Sequence, residues 1–392
     1  MRELSMGSDT KVTVYYGPLS WFEKQIGKGA RRYLLDALNE RDEARRRIRH
    51  TVDGQESMED ETPVPRPDRL IAMSGDYASV HEHAITNFVG LVREINPRRL
   101  LLHNPPELIR TQLDRVLKTK VKSFTYPVVT RDTLIKFRDD FEDRLVGQQR
   151  VRERILAALY PLTADRRAKP VVLMFYGPSG VGKTETAQLI NGILGGNLLR
   201  KQFSMFHSDK FASYVFGGTH SESSFARDLL DRSSSVILID EFDKANSVFH
   251  SAFYEVFDEG VFEDKNYRVQ LGPALIICTS NYGSEDEIRQ ALGDALYSRF
   301  DALIPFEPLS PDGIKQVIDQ LVDERFEALS PEERAVLGSD DIKSMLHARV
   351  GSTGNVRKLG KLVDEVLSLK LVRSMLSDAP HSSNVTKTKD AA

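Results

Sequence analysis

One segment limits what this chain can fold into more than any other: Gly177-Pro178-Ser179-Gly180-Val181-Gly182-Lys183-Thr184. It follows the continuously apolar run Val171 to Tyr176 and opens a stretch with helical spacing, so the expected order is strand, glycine loop, helix. Gly177, Gly180 and Gly182 would let backbone N–H groups turn inward around phosphate oxygens, helped by the positive end of the helix that follows. Lys183 adds a movable cation, and the Thr184 hydroxyl suits a Mg²⁺ ion that keeps several of its waters. Pro178, Ser179 and Val181 complete the loop, and Glu185 lies in the first helical turn. The expected ligands are ATP and Mg²⁺. A glycine-rich turn without a ligand is the alternative, and the strand-loop-helix context argues against it.

Downstream, the apolar run Val236 to Ile239 carries Asp240 and Glu241 to its carboxyl end, the side on which open α/β sheets bind ligands. Asp240 is suited to share the Mg²⁺ shell with Thr184, and Glu241 to polarise the water that attacks a terminal phosphate. Alone, two acids ending a strand are equally a solvated strand end. A further run, Leu275 to Thr279, is followed by Ser280 and Asn281, whose amide could orient the attacking water or simply cap a turn. Continuously apolar strands of this kind predict a parallel sheet buried on both faces, an α/β sandwich.

The rest of the chain divides by pattern. Residues 1–130 alternate short apolar runs (Val12 to Tyr16, Leu70 to Met73, Leu100 to His103, Val121 to Tyr126) with helical segments, which predicts a small α/β domain compatible with many binding or catalytic roles. Within it, 51–68 is acidic and proline-rich and reads as a flexible loop. Residues 131–308 read as the larger α/β unit, 309–376 as a helical lid, and 377–392 as a disordered tail. At 392 residues the chain can bury several cores, and a formal net charge of −3 implies no overall attraction to nucleic acid or membrane. No apolar run approaches bilayer-spanning length and the start lacks a leader's apolar core, so a cytoplasmic protein is expected. The single cysteine, Cys278, falls in an apolar run and reads as a buried thiol. His81, Glu82 and His83 are too few and too local for a metal site.

In their order and spacing, GPSGVGKTETAQLI, SVILIDEFDKA, ALIICTSNYGS and ALYSRFDALIPFEPLS resemble the AAA+ ATPases, in particular the second ATPase module of ClpB-type chaperones and the torsins. The resemblance runs from about Leu145 to Leu367. It implies that Val146 and Gly147 border the adenine pocket, that Asn281 is a first sensor, and that Arg299 reaches the nucleotide of a neighbouring subunit. A ring-like homo-oligomer, a hexamer by family resemblance, follows from that last role; an ordinary surface ion pair is the other reading of Arg299. Arg357 matches the second-sensor arginine, although Gly351-Ser352-Thr353-Gly354 replaces the Clp-type sequence before it. Tyr214-Val215-Phe216-Gly217 resembles the pore loop that grips polypeptide, and aromatics spaced this way equally fit a half-buried strand. Between Tyr282 and Arg299 nothing resembles a loop for a ClpP-type protease, so no such partner is expected.

The function so implied is an ATP-hydrolysing oligomer that remodels or unfolds a protein substrate, with the domain of residues 1–130 selecting that substrate or sensing a partner. A nucleic-acid-directed AAA+ loader or switch is the alternative, resting on the arginines between Arg31 and Arg49, with Asp36, Glu40, Asp42 and Glu43 interleaved.

Overall fold

The computed structural model describes residues 10–50, 66–164, 167–205, 208–349 and 354–377. Most of the expected loop 51–68, the tail from 378 onward, and Gly351, Ser352 and Thr353 lie outside the described residues.

The amino-terminal part is a five-stranded sheet built from β1 (Lys11–Tyr16), β2 (Arg32–Tyr33), β3 (Arg69–Ala72), β4 (Arg99–His103) and β5 (Thr119–Ser123). The strands lie in the order β2-β3-β4-β1-β5, and every pairing is parallel. Parallel neighbours need crossovers, and these are supplied by α1 (Leu19–Gln25), α2 (Leu34–His50), α3 (Asp76–Ser79), α4 (Glu82–Thr86), α5 (Phe88–Ile95) and α6 (Glu107–Val116). Both sheet faces are covered. Val12, Val14, Leu70, Leu100 and Leu102 pack with Leu91, Ile109 and Leu113, while Tyr15, Ile71 and Leu101 pack with Phe22 and Ile26. The sequence predicts one helix over Ile85 to Ile95; the structure breaks it at Asn87, whose φ of −120° and ψ of 41° separate α4 from α5. β2, two residues long, is too short to show a period.

The larger unit begins with α7 (Arg131–Arg144), where Thr130 and Thr133 form a reciprocal capping box, and α8 (Gln149–Leu159). There follow β6 (Val171–Tyr176), α9 (Lys183–Leu194), β7 (Leu199–Gln202), α10 (Ser208–Phe216), α11 (Phe225–Asp231), β8 (Val236–Asp240) and α12 (Tyr254–Asp258). An antiparallel pair, β9 (Val261–Glu263) with β10 (Arg268–Gln270), leads to β11 (Leu275–Thr279), α13 (Glu285–Tyr297) and β12 (Ala302–Pro305). The sheet order β12-β6-β11-β8-β7 is parallel throughout. β6, β11 and β8 are therefore side by side with every residue buried, which is why each is written in continuous apolar code. Their carboxyl ends meet at one edge.

Four helices close the chain: α14 (Pro311–Ala328), α15 (Pro331–Val336), α16 (Ser339–Arg349) and α17 (Val356–Ser377). Ser310 caps α14 with proline in its first turn, and Ser330 with Glu333 forms a capping box on α15. Their core of Ile314, Ile318, Val322, Ile342, Leu346, Leu359 and Val363 also takes in Val146 and Leu309. No helix among the described residues is long and apolar enough to cross a membrane.

The amino-terminal sheet sits against the larger unit. Leu19 N–H donates to Asp231 Oδ1 (2.8 Å), Glu107 N–H to Asn266 O (2.9 Å), and the Arg232 guanidinium lies 4.0 Å from the centre of the Tyr126 ring.

Candidate nucleotide site

The glycine loop hangs between β6 and α9, and at its glycines the backbone admits no side chain. Gly177 has φ of +125°, and a Cβ there would lie 2.2 Å from the Phe306 carbonyl oxygen. At Gly182, with φ of +104°, a Cβ would meet Leu145 at 2.6 Å. This is a cradle that only glycine builds, and it fits the phosphates the sequence predicts. Lys183, 8% exposed, donates from Nζ to the Gly177 carbonyl (2.6 Å) and the Pro178 carbonyl (2.8 Å), with Asn281 Oδ1 at 3.4 Å. Burial, aided by the Arg357 charge, lowers its pKa to about 8 against the pull of Asp243 and Asp240. Thr184 stands beside it at the start of α9, and Glu185 is exposed in the same turn.

Asp240 is 6% exposed, and both of its carboxylate oxygens accept hydrogen bonds. One carboxylate oxygen accepts the Thr279 hydroxyl; the other accepts Arg200 through Nε (3.1 Å) and a terminal nitrogen. The next residue, Glu241, adopts φ of +56°, a left-handed turn that swings its carboxylate away from the strand line. Its N–H donates to Thr279 Oγ1 (3.0 Å), and its Oε2 accepts Gln202 Nε2 (3.1 Å). A single hydroxyl on β11 thus holds both acids at the carboxyl end of β8, and β7 supplies an arginine to one and an amide to the other.

The helical lid touches the loop directly. Asn355 Nδ2 donates to the Ser179 carbonyl (3.0 Å), and Val356 N–H donates to the Gly180 carbonyl (2.9 Å), so α17 starts on the glycine loop. Arg357 follows one residue later on α17. On the opposite flank Gly147 turns with φ of +75°, and Gln148 pairs its amide with the backbone of Glu307 (2.8 and 3.4 Å). Val146 is buried in the lid core, so the segment predicted to border a base joins the sheet unit to the lid.

Arg299 lies apart from this cluster. Its Nε donates to Asp258 Oδ2 (2.7 Å) and its guanidinium stacks over Tyr254 at 4.6 Å; its other partner is the Ala295 carbonyl, and none of these belongs to the phosphate site.

The expectation of an exposed pore loop at Tyr214 to Gly217 is corrected by the packing. Tyr214 and Val215 close α10, are 5% and 0% exposed, and belong to the main core; the Tyr214 hydroxyl donates to Asp228 Oδ2 (2.5 Å). Phe216 is exposed, and Gly217 begins the segment to Ser224, which contains no Tyr, Phe or Trp. That segment leans on the amino-terminal part: His220 Nε2 lies 3.7 Å from Glu82 Oε1. His81 and His83 stack on one another, and the described residues hold no metal-ligand cluster.

Sequence reasoning missed Arg200, Gln202 and Asn355. The first two alternate on β7, four residues long and mostly polar, which carries no apolar signature. Their period-2 placement beside a strand ending in two acids was the available signal.

Against known proteins, the family model described as AAA domain (Cdc48 subfamily) matches residues 168–332. The chain is 26% identical over 290 residues to the chaperone protein ClpB of Clostridium perfringens, covering 65% of this chain and 33% of that protein. It is 29% identical over 272 residues to a ClpA homolog protein of Fuscovulum blasticum, covering 59% of this chain and 33% of the relative. To the AAA+ ATPase ClpV1 of Pseudomonas aeruginosa it is 30% identical over 221 residues, covering 47% and 24%. The chain thus spans about a third or less of the length of these relatives.

Proposed function

From the premise that this chain carries a Clp-type AAA+ ATPase module, we propose that it hydrolyses ATP within a ring-like oligomer and uses the resulting motion to remodel a protein partner. The observation that supports this reading most is the meeting of the glycine cradle, Lys183, Asp240, Glu241 and Asn281 at adjacent strand ends, with the lid anchored on the same loop through Asn355.

The cradle binds the phosphates through backbone N–H groups, and Lys183 exchanges its two carbonyl partners for phosphate oxygens. Val146 and Gly147 flank the base, and Arg357 approaches the phosphates from the lid. Thr184 and Asp240 would hold Mg²⁺, which supplies positive charge against the phosphate oxygens. Glu241 orients and deprotonates the attacking water, with Asn281 fixing that water from β11. Arg299 acts across a subunit boundary, where it stabilises charge developing on the transferred phosphoryl group. Because the lid grips the glycine loop directly, loss of the terminal phosphate is felt at α17 and becomes rigid-body movement of the lid. A partner is moved by that change without a grip from Tyr214 or Val215, which belong to the core.

Two of the arginines offered for nucleic acid are held in ion pairs: Arg41 with Glu94 (3.2 Å) and Asp42 (3.5 Å), and Arg32 with Glu40. Steady-state ATP turnover of the purified chain, with and without an unfolded polypeptide such as casein and with DNA in parallel, tests the proposal. Glu241→Gln should leave ATP binding intact and lower turnover by about 10²-fold or more. Turnover unaffected by that change overturns the site, and stimulation by DNA alone overturns the protein-remodelling role.

A further inference from the structure

Where the amino-terminal sheet meets the ATPase unit there is a cavity of about 190 Å³. Ser74 and Asn104, which follow β3 and β4, form one wall; Ser223, Arg227, Asp228 and Asp231, on or beside α11, form the other, with Tyr267 at the base. The carboxyl edge of a parallel sheet is where α/β units place ligands, and the strands β4 and β1 beside this wall run to connections on opposite sides, the arrangement that opens a crevice. An apolar cavity of about 150 Å³ holds a benzene ring, so this space admits a molecule of roughly that size.

The charges on its wall are unusual in what they leave undone. Arg227 and Asp231 are four residues apart on α11, a spacing at which such residues commonly pair. They do not pair here. Arg227 reaches backbone carbonyls instead, those of Glu222 (3.1 Å) and Ser74 (3.4 Å), and Asp231 accepts only the Leu19 N–H. Among the described residues neither has an ion-pair partner, whereas their neighbour Asp228 is neutralised by Lys201 Nζ at 2.6 Å. The Tyr267 hydroxyl, on a residue 3% exposed, has no hydrogen-bond partner among them either.

We propose that this cavity is a binding site for a small zwitterion of the free α-amino acid class, whose carboxylate meets Arg227 with the hydroxyls of Ser74 and Ser223 and whose ammonium meets Asp231. A simple anion would leave Asp231 facing like charge, and a simple cation would do the same to Arg227; a molecule with both signs a few ångströms apart satisfies the two at once. The site is also placed to act on catalysis. Asp228 on its wall binds Lys201, which sits on β7 between Arg200 and Gln202, the residues that hold Asp240 and Glu241. Occupancy therefore bears on the strand that positions both acids, an effect that rests on the ATPase reading, whereas the binding itself does not.

The test is calorimetric titration of the full chain with each of the twenty L-α-amino acids, with inorganic phosphate, glucose 6-phosphate and putrescine as probes of single sign. The expected result is that at least one amino acid binds with Kd below about 1 mM. Arg227→Met and Asp231→Asn should each weaken it about tenfold or more, as should blocking the ligand's carboxylate as an ester. Thermal unfolding checks both variants, and Asp231→Asn, which keeps shape and hydrogen-bonding capacity, serves if Arg227→Met does not fold. No amino acid bound at about 10 mM, phosphate or putrescine bound as tightly, or affinity untouched by both variants overturns the site. Binding that leaves ATP turnover unchanged overturns the coupling to β7, whereas an unmodified chain that binds the amino acid but turns over no ATP overturns the ATPase reading and leaves the binding site standing.

Discussion

Thr279 carries more than its size implies. Its hydroxyl donates to Asp240 and accepts the Glu241 N–H, so one oxygen sets the position of both acids at the end of β8. Thr279→Val keeps the shape and removes that oxygen. It is expected to cost about 1–3 kcal/mol of stability in urea unfolding, because Asp240 loses a buried donor, and to lower kcat about tenfold or more with a smaller change in KM. Gly177 is constrained from the other side: Gly177→Ala adds a Cβ against the Phe306 carbonyl at a φ that disfavours any side chain. ATP binding measured by calorimetry should fall by about tenfold or more in that variant, as it should in Lys183→Ala, which deletes the buried cation. At this scale the loop was readable because its glycines and lysine are dictated by local backbone chemistry. Thr279's double role was not, since it depends on β11 lying next to β8, a pairing between segments far apart in sequence.

Elements, not single residues, decide what α10 does. Tyr214 was open to two readings because aromatic, valine, aromatic fits a gripping loop and a packed segment alike; the helix turns Tyr214 and Val215 inward and leaves Phe216 outside. Tyr214→Ala is expected to lower unfolding free energy by about 3–5 kcal/mol, the range for losing a large buried ring, whereas Phe216→Ala should change it by well under half of that. A Tyr214→Ala protein of unchanged stability with weakened polypeptide stimulation would restore the pore-loop reading. The apolar strands β6, β8 and β11 were legible to within a few residues, because burial on both faces writes a strong pattern, and the closing helices were legible as one helical unit. β7 was not, since a short, largely polar strand owes its place to pairing with β8. The lid's hold on the glycine loop through Asn355 was equally invisible, being a contact across 176 positions.

For the whole molecule, the buried Arg232 joins the two sheet units. It is 4% exposed, binds the carbonyls of Leu229 and Leu271, and lies over Tyr126 from the amino-terminal side, so the seam contains a desolvated cation held by carbonyls and a ring. The α/β character of the amino-terminal part was legible from its alternating runs, yet its docking against α11 was not, because a seam made of isolated polar contacts leaves no periodic trace. Arg299 presents the largest claim at this scale. It is tied to Asp258, the ion pair that was its other reading, and to Tyr254, and to nothing in its own phosphate site, so its service to a neighbour is a proposal that only a measurement between subunits decides. The most direct measurement mixes Arg299→Ala with Glu241→Gln, each alone expected to be slowed by about 10²-fold or more, and follows ATP turnover in assemblies shown to contain both. Turnover that reappears in the mixture, where intact Glu241 on one subunit faces intact Arg299 on the next, is the result predicted. Mixed assemblies as inactive as either parent would contradict hydrolysis shared between subunits.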